Sequence, residues 1–390
     1  MPCYVLFHVK GFFDLLKRGV LVMEPDIGYM QQALELAKKG IGHVNPNPLV
    51  GSVIVKDGKI IGEGYHQKYG GPHAEVNAFA SLEESPVGAT MYVTLEPCSH
   101  YGKTPPCVDA VIKSGVTRVV VASLDPNPLV AGRSITKMQA AGIDVEIGVL
   151  KEECDELNAV FFHYITKKKP YVVMKYAMTS DGKIATHTGS SRWITGESAR
   201  TKVHEDRHLY SGIMVGVGTV IADDPMLDCR IKGGRNPIRI ICDTTLRTPH
   251  NSRIIETAES IRTILITACT DEIKHQLYIS VGCRIMTVPL KDAKLDLQVA
   301  MRILAEEGID SILLEGGATL NASALDAGIV NKVQTYIAPK LFGGASAPTP
   351  IAGRGVNHPD QAYILKNRKI TILGEDILIE SEVAKCSQEL

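Results

Sequence analysis

The sequence predicts an α/β protein built from two successive layered domains. Three observations predict it. The 390 residues, 45% hydrophobic and 22% charged, hold enough apolar material for two cores rather than one. Apolar runs of strand type alternate with stretches of helical period along the chain, the pattern of strands covered by helices. The alternation breaks at Lys167, Lys168 and Lys169 before Pro170, which restricts its predecessor and stops a helix. The expected division is an extension of no assigned function over 1–22, a first domain over 23–168, a second over 169–383 and a tail over 384–390.

Taken in order, residues 1–22 are apolar in patches, but Lys10, Asp14, Lys17 and Arg18 interrupt them too often for a membrane span. They lack a basic start and a small-residue cleavage site, so neither a signal peptide nor a membrane partner is expected. Over 26–40, Ile27, Met30, Leu34 and Ala37 recur at helical spacing, with Asp26 as cap and Gly40 as stop. VGSVIV and KIIGEGYH, parted by KDG, read as a hairpin. A helix from near His73, the strand ATMYVTL, a helix over 106–113, the strand TRVVVASL, a helix near 134–141, the strand DVEIGVL and a helix over 151–169 complete the first domain. The second restarts with YVVMKYAM, then a helix from Glu197, the strands GIMVGV, IRIIC, TILIT and CRIMTV, a helix over 295–306, and the strands SILLEGG and KVQTYIA. No internal repeat, heptad or low-complexity tract is present.

A formal net charge of -1 argues against a protein whose main work is neutralising nucleic-acid phosphates, so a small-molecule partner is expected. Nine cysteines, an odd number without the dense spacing of a secreted disulfide scaffold, point to a reducing compartment and a cytoplasmic location.

Two of those cysteines raise a chemical question. The stretch PCSHYGKTPPC places Cys98 and Cys107 around a polar loop, and GGPHAEVNAFA places His73 and Glu75 at the start of a helix. One histidine and two cysteines make three ligands, which leave a tetrahedral Zn²⁺ an open position for water, as in catalytic rather than structural sites. The metal makes hydroxide available near neutral pH, and Glu75 is placed to shuttle its proton. Two structural alternatives stand beside this: a closed site with His100 as fourth ligand, and a disulfide between Cys98 and Cys107.

HxE followed by PC and a second cysteine is the signature of zinc nucleobase deaminases, here with eight residues between the cysteines instead of two. HAE together with PCSHYGKTPPC resembles the RibD-type bifunctional deaminase/reductases of riboflavin biosynthesis. The resemblance implies a cytidine-deaminase-like three-layer fold for the first domain. It also implies that His100 and Lys103 contact a phosphorylated substrate and that Asn47, in NPNPLVG, recognises the pyrimidine. From position alone, His100 and Lys103 could be solvated loop residues and Asn47 a turn residue.

In the second domain, MVGVGTVI supplies Gly216 and Gly218 after a strand, but Ile221 holds the third position, so a Rossmann fingerprint is rejected. SILLEGGATL is a better phosphate cradle, with Gly316 and Gly317 at a helix start, although a tight turn explains them equally. Lys175 inside a strand, the paired aspartates of TVIADDPMLDCR and the single tryptophan, Trp193, are the other unusual features. Each has a plain reading, as a snorkelling lysine, a turn and a core aromatic. Together they resemble the reductase domain of the same family, a dihydrofolate-reductase-like fold that binds NADPH. The resemblance implies that Ala177, Trp193, Thr219, Asp223, Thr244, Gly316 and Gly317 lie along the cofactor. Ser191, Arg207, Leu227, Arg230 and Glu315 would hold the ribose phosphate, and Lys175 and Asp223 would assist reduction. Ser180 stands where the family usually has leucine, and Thr244 where a serine is common.

The expected protein is a cytoplasmic bifunctional enzyme and homo-oligomer using Zn²⁺ and NADPH. The first domain would deaminate 2,5-diamino-6-(5-phosphoribosylamino)pyrimidin-4-one, and the second would reduce its ribosyl chain to ribityl. The rival expectations are a nucleoside or tRNA deaminase fused to a reductase-like domain, and a zinc-stabilised nucleotide-binding protein without turnover.

Overall fold

The computed structural model describes residues 24–99, 105–127 and 131–384. The extension over 1–22, the loop residues His100 and Lys103, and the tail beyond Ala384 lie outside the described residues. The chain divides into two compact units. The first gathers Val50–His66 and Pro72–Glu156 with the chain up to Lys39; the second gathers the chain from Leu157 onward with the loops Gly40–Leu49 and Gln67–Gly71.

The first unit runs α1 (Glu24–Lys38), β1 (Gly51–Lys56), β2 (Lys59–Tyr65), α2 (Ala74–Ala80), β3 (Thr90–Leu95), α3 (Cys107–Ser114), β4 (Arg118–Ser123), α4 (Arg133–Ala140), β5 (Asp144–Ile147) and α5 (Lys151–Leu157). Its sheet has the order β2-β1-β3-β4-β5, with β1 antiparallel to β2 and β3, and β3, β4 and β5 parallel. The hairpin turns at Asp57 and Gly58, whose φ angles of 50° and 75° suit a two-residue turn. Helices press closely on the sheet. A Cβ at Gly51 would stand 1.9 Å from Ala33 O, and one at Gly64 2.2 Å from Ala78 N, so both strand positions take only glycine. The strands between the helices are buried on both faces, as Val119, Val120, Val121 and Ala122 are in β4, and therefore read as unbroken apolar runs.

The second unit runs α6 (Ala159–Lys167), β6 (Tyr171–Thr179), α7 (Glu197–Leu209), β7 (Gly212–Gly216), α8 (Val217–Asp223), β8 (Ile238–Cys242), α9 (Arg253–Glu256), β9 (Thr263–Thr267), α10 (Glu272–Ile279), β10 (Cys283–Thr287), β11 (Leu290–Lys291), β12 (Lys294–Leu295), α11 (Leu297–Glu306), β13 (Ser311–Leu314), α12 (Ala318–Asp326), β14 (Val330–Ala338), β15 (Leu365–Leu373) and β16 (Asp376–Val383). Nine strands form one sheet in the order β10-β9-β8-β7-β13-β6-β14-β16-β15. The strands from β10 to β14 are parallel, and β16 and β15 pair antiparallel at one edge. Successive residues feed opposite layers: Met214, Ile240 and Ile264 pack with Leu297, Met301 and Leu304 of α11, whereas Ile213, Ile241 and Leu265 pack with Val220, Ile254 and Tyr278.

Helices α8, α9 and α10 and the β11–β12 pair were not among the expected elements, and two further stretches differ from them. The helix expected over 151–169 is two helices, α5 and α6, parted at Asn158. The Asn158 side chain accepts from Leu49 N at 2.8 Å and donates to Leu49 O at 2.9 Å, a tertiary bond that outweighs helical continuity. The second is the β15–β16 hairpin, which lies beyond the last expected strand. β15 is exposed along most of its length and carries Lys366, Arg368 and Lys369, so it lacks the inside-outside alternation that marks a half-buried strand. Among the described residues, no helix is long and apolar enough to cross a membrane.

Candidate active sites

In the first unit, three chain segments converge just past the carboxyl end of β3. Residue His73 is the N-cap of α2, Cys107 begins α3, and Cys98 lies three residues after Leu95, the last residue of β3. Their ligand atoms all lie within 4.8 Å of one another. His73 Nδ1 is 3.2 Å from Cys107 Sγ and 3.6 Å from Cys98 Sγ, and Cys107 N–H donates to Cys98 Sγ at 3.2 Å. The two cysteines are free thiols, so the disulfide alternative fails.

The electrostatics fit a metal. The hydrogen bond with the Cys107 thiol, then those from His73 and the Cys107 N–H, pull the Cys98 thiol down to about 4 against a burial that would raise it. The Cys107 thiol is pushed up by its bond with Cys98 and by burial, so the pair behaves as two sulfurs sharing one proton. A divalent cation takes the place of that proton, and one imidazole nitrogen with two sulfurs is a zinc donor set. Glu75, the second residue of α2, is only 3% exposed; burial raises its carboxyl while His73 opposes the rise. A carboxyl raised in this way holds a proton more readily than an exposed glutamate does.

Two residues of this site were not singled out from the sequence. His66, at the end of β2, holds Pro72 O at 2.9 Å through Nδ1 and packs edge-on against the His73 ring at 5.5 Å, which orients the imidazole. Its signal was only a histidine closing an apolar strand. The other is Glu96, directly before Pro97 and Cys98, whose side chain is buried. Asn47 lies in the Gly40–Leu49 segment of the second unit, where its N–H closes a turn onto Val44 O at 2.8 Å.

In the second unit, three charged residues meet inside the fold. Arg207 of α7 donates through Nε and Nη2 to Glu315 at 2.9 and 3.1 Å, a bidentate pair, and through Nη1 to Asp228 O at 3.0 Å. Lys175 Nζ of β6 lies 3.6 Å from Glu315 Oε2 and 5.5 Å above the Tyr336 ring. All three side chains are at most 14% exposed, so Lys175 does not snorkel to solvent. Arg230 is exposed and pairs at 3.0 Å with Asp228, which Arg207 also reaches. Leu227 has φ 52° and its side chain is buried in the apolar core, which leaves its backbone as the part a ligand could meet.

Burial alone would raise the Glu315 carboxyl, but Arg207 and then Lys175 outweigh it and hold it at about 2. The folded value lies below the unfolded one of about 4.3, so this contribution to stability is complete above about pH 4.3 and is lost as pH falls toward 2. The melting temperature of the full chain should therefore drop between about pH 4.3 and 2, and the drop should shrink in Glu315→Gln.

The other expected cofactor residues fall on neighbouring strand ends. β7 and β13 are adjacent and parallel, and each is followed by a helix, α8 and α12. A Cβ at Gly317 would lie 3.6 Å from Thr219 Oγ1, and one at Gly316 2.9 Å from Asn321 Oδ1, so the glycines are closely walled and Thr219 is their neighbour. This open-backbone step at a helix start suits a nucleotide phosphate. Ala177 packs toward Val203 and Tyr336. Thr244 follows β8 and its carbonyl accepts from Thr267 Oγ1 at 3.2 Å. Trp193 is 63% exposed, against the plain reading of it as core, and lies on the Arg200 guanidinium at 4.7 Å. Ser191 is half-buried two residues before it. Asp223 ends α8 and accepts from Arg192 through its carbonyl at 2.6 Å; among the described residues no ion pair joins it to Lys175.

A zinc-type deaminase unit joined to a reductase unit is the class these two sites define. Residues 23–123 match the cytidine and deoxycytidylate deaminase zinc-binding region, and residues 170–379 match the RibD C-terminal domain. The chain is 54% identical over 355 residues to riboflavin biosynthesis protein RibD of Actinobacillus pleuropneumoniae, spanning 91% of this chain and 94% of that one. It is 43% identical over 364 residues to the RibD protein of Escherichia coli strain K12, spanning 90% and 97%. Acinetobacter baumannii RibD, form 1, superposes with a TM-score of 0.83 at 37% identity, covering 93% of this chain and 99% of that one. A Thermotoga maritima diaminohydroxyphosphoribosylaminopyrimidine deaminase/5-amino-6-(5-phosphoribosylamino)uracil reductase gives 0.80 at 40%, covering 92% and 99%.

The chain belongs to the RibD family of riboflavin biosynthesis proteins. It is a bifunctional deaminase/reductase, with a cytidine-deaminase-like first domain and a dihydrofolate-reductase-like second domain that implies a nucleotide cofactor.

Proposed function

We propose that the first domain deaminates 2,5-diamino-6-(5-phosphoribosylamino)pyrimidin-4-one and that the second reduces the resulting ribosylaminouracil with NADPH to 5-amino-6-(5-phosphoribitylamino)uracil. The observation that carries this reading is the closure of His73, Cys98 and Cys107 around one point beside the buried Glu75. The substrate is that of the Thermotoga maritima deaminase/reductase to which the chain is similar. Family matches over 23–123 and 170–379 support a functional division at Pro170.

Zinc held by the three ligands supplies the Lewis acidity that makes water a nucleophile near neutral pH. Glu75 takes one proton from the attacking water and gives it to a ring nitrogen, then takes the second from the hydroxyl of the tetrahedral adduct and gives it to the departing amine, so that water is consumed and ammonia leaves. Asn47, His100 and Lys103 read the pyrimidine and its phosphate.

In the second domain the nicotinamide supplies the hydride. Thr219, Gly316 and Gly317 receive the cofactor phosphates, and Ala177, Trp193, Asp223 and Thr244 line the rest of it. Lys175 is placed by its ion pair with Glu315 and by the Tyr336 ring, so it can donate a proton to the sugar oxygen as hydride arrives. Ser191, Arg207, Leu227, Arg230 and Glu315 hold the ribose phosphate, with Arg207 also fixing Glu315. The enzyme works in the cytoplasm as a homo-oligomer.

Incubation with the diaminopyrimidinone phosphate and NADPH, followed by mass spectrometry, tests both steps. Formation of the ribitylaminouracil phosphate is expected; accumulation of the ribosylaminouracil would contradict the second assignment. Chelation should remove one zinc per chain and abolish deamination while reduction of supplied ribosylaminouracil phosphate continues. Loss of both activities on chelation would place the metal in a shared structural role.

A further inference from the structure

Among the buried charged groups that the chemistry above does not use, Glu96 stands beside the zinc loop. Leu95 and Ser123 pair at the carboxyl ends of the parallel strands β3 and β4, and Glu96 N donates to Ser123 O at 2.9 Å. The Glu96 side chain, 3% exposed, reaches from the zinc loop to the chain that follows β4. Its Oε2 accepts from Gly132 N at 3.0 Å and Asp125 N at 3.3 Å, and its Oε1 accepts from Ser134 Oγ at 2.8 Å and Ser134 N at 3.2 Å.

All four partners are donors, and they engage both oxygens. Only a carboxylate satisfies such a set, because the amide of glutamine would set an NH₂ against N–H groups. Gly132 is the N-cap of α4 and Ser134 its second residue, so the negative charge also sits where the helix end favours it. Desolvating a carboxylate costs free energy that apolar packing would not. This one stands two residues before Cys98, on the strand edge where α/β sheets take their ligands.

We propose that Glu96 is a positioning residue for deamination, one that ties the chain entering Cys98 to Asp125 and the start of α4 and so fixes the spacing of these segments at the carboxyl ends of β3 and β4. The proposal rests on the zinc-deaminase reading of that site. The three ligands keep the metal without this lock, so its loss loosens the substrate's seat before it loosens the zinc.

The test uses the full chain, zinc-loaded, as wild type, Glu96→Gln and Glu96→Asp. Deamination of the diaminopyrimidinone phosphate is followed over a range of concentrations, with zinc counted and reduction measured on the same preparations. In Glu96→Gln, KM should rise about tenfold with kcat within about threefold. Zinc should stay at one per chain and reduction should be unchanged. Glu96→Asp keeps the charge but draws the oxygens back from their donors. It should show the same split in KM, and it carries the test if the glutamine variant does not fold. An unchanged KM, or zinc lost together with activity, overturns the proposal and makes Glu96 a brace of the fold alone. A wild-type chain that binds zinc without deaminating sinks the underlying reading as well, and that result is read before any variant is compared.

Discussion

Glu75→Gln should lower deamination by about 10³-fold while zinc remains bound and reduction is untouched. The amide matches the carboxylate in shape but cannot carry the two protons of the water, one to the ring nitrogen and one to the leaving amine. Residue Glu75 belongs to no ligand set: His73, Cys98 and Cys107 close on one another without it. Burial raises its carboxyl, which brings it closer to the operating pH than an exposed glutamate would be. Zinc content and single-turnover ammonia release, measured on the same sample, check the expectation. Activity near that of wild type would remove Glu75 from the chemistry, whereas zinc loss would move it into the metal's support.

Glu315→Gln should be the most damaging single change in the second unit. It leaves Arg207, at 13% exposure, without the carboxylate that it grips bidentately, and Lys175 without its ion-pair partner. Removing one partner of a buried pair costs about 3–5 kcal/mol, because the remaining charge stays desolvated. Reduction should fall by about 10²-fold, as Lys175 loses the partner that aims it. Adding Arg207→Met to Glu315→Gln should recover part of the stability but none of the reduction, since the orphaned charge disappears while Lys175 stays unpartnered. Urea unfolding and a reductase assay with supplied ribosylaminouracil phosphate separate the two effects. A double variant no more stable than the single one would show that the pair is not the source of the loss.

Much of the architecture was legible because the signal was strong. Parallel strands buried on both faces leave runs such as Val119–Ala122 that cannot be mistaken for loop, and helices that cover them leave a clear period. What escaped was decided by partners distant in sequence. Asn158 parts α5 from α6 because Leu49 offers it both a donor and an acceptor, and a window of residues 151–169 contains no trace of Leu49. The exposed β15 has no buried face to impose a period, and it exists as a strand because β16 pairs with it.

The sites divide in the same way. By itself the sequence picked out the candidate zinc donor set and offered Glu75 as its proposed acid–base partner, because His73 with Glu75 and Cys98 with Cys107 are each close in the chain and their residue types admit few other chemistries. It also marked Lys175, as a lysine inside a strand, whereas Arg207 and Glu315 entered only through the family resemblance. Only the tertiary structure decided that these three form one buried cluster, that His66 orients His73, and that Glu96 gathers four donors from a segment about 30 residues away. The physical reason is that covalent neighbours carry a motif's chemistry, whereas burial and the donors or charges that compensate it are properties of space, set only once the strands have paired.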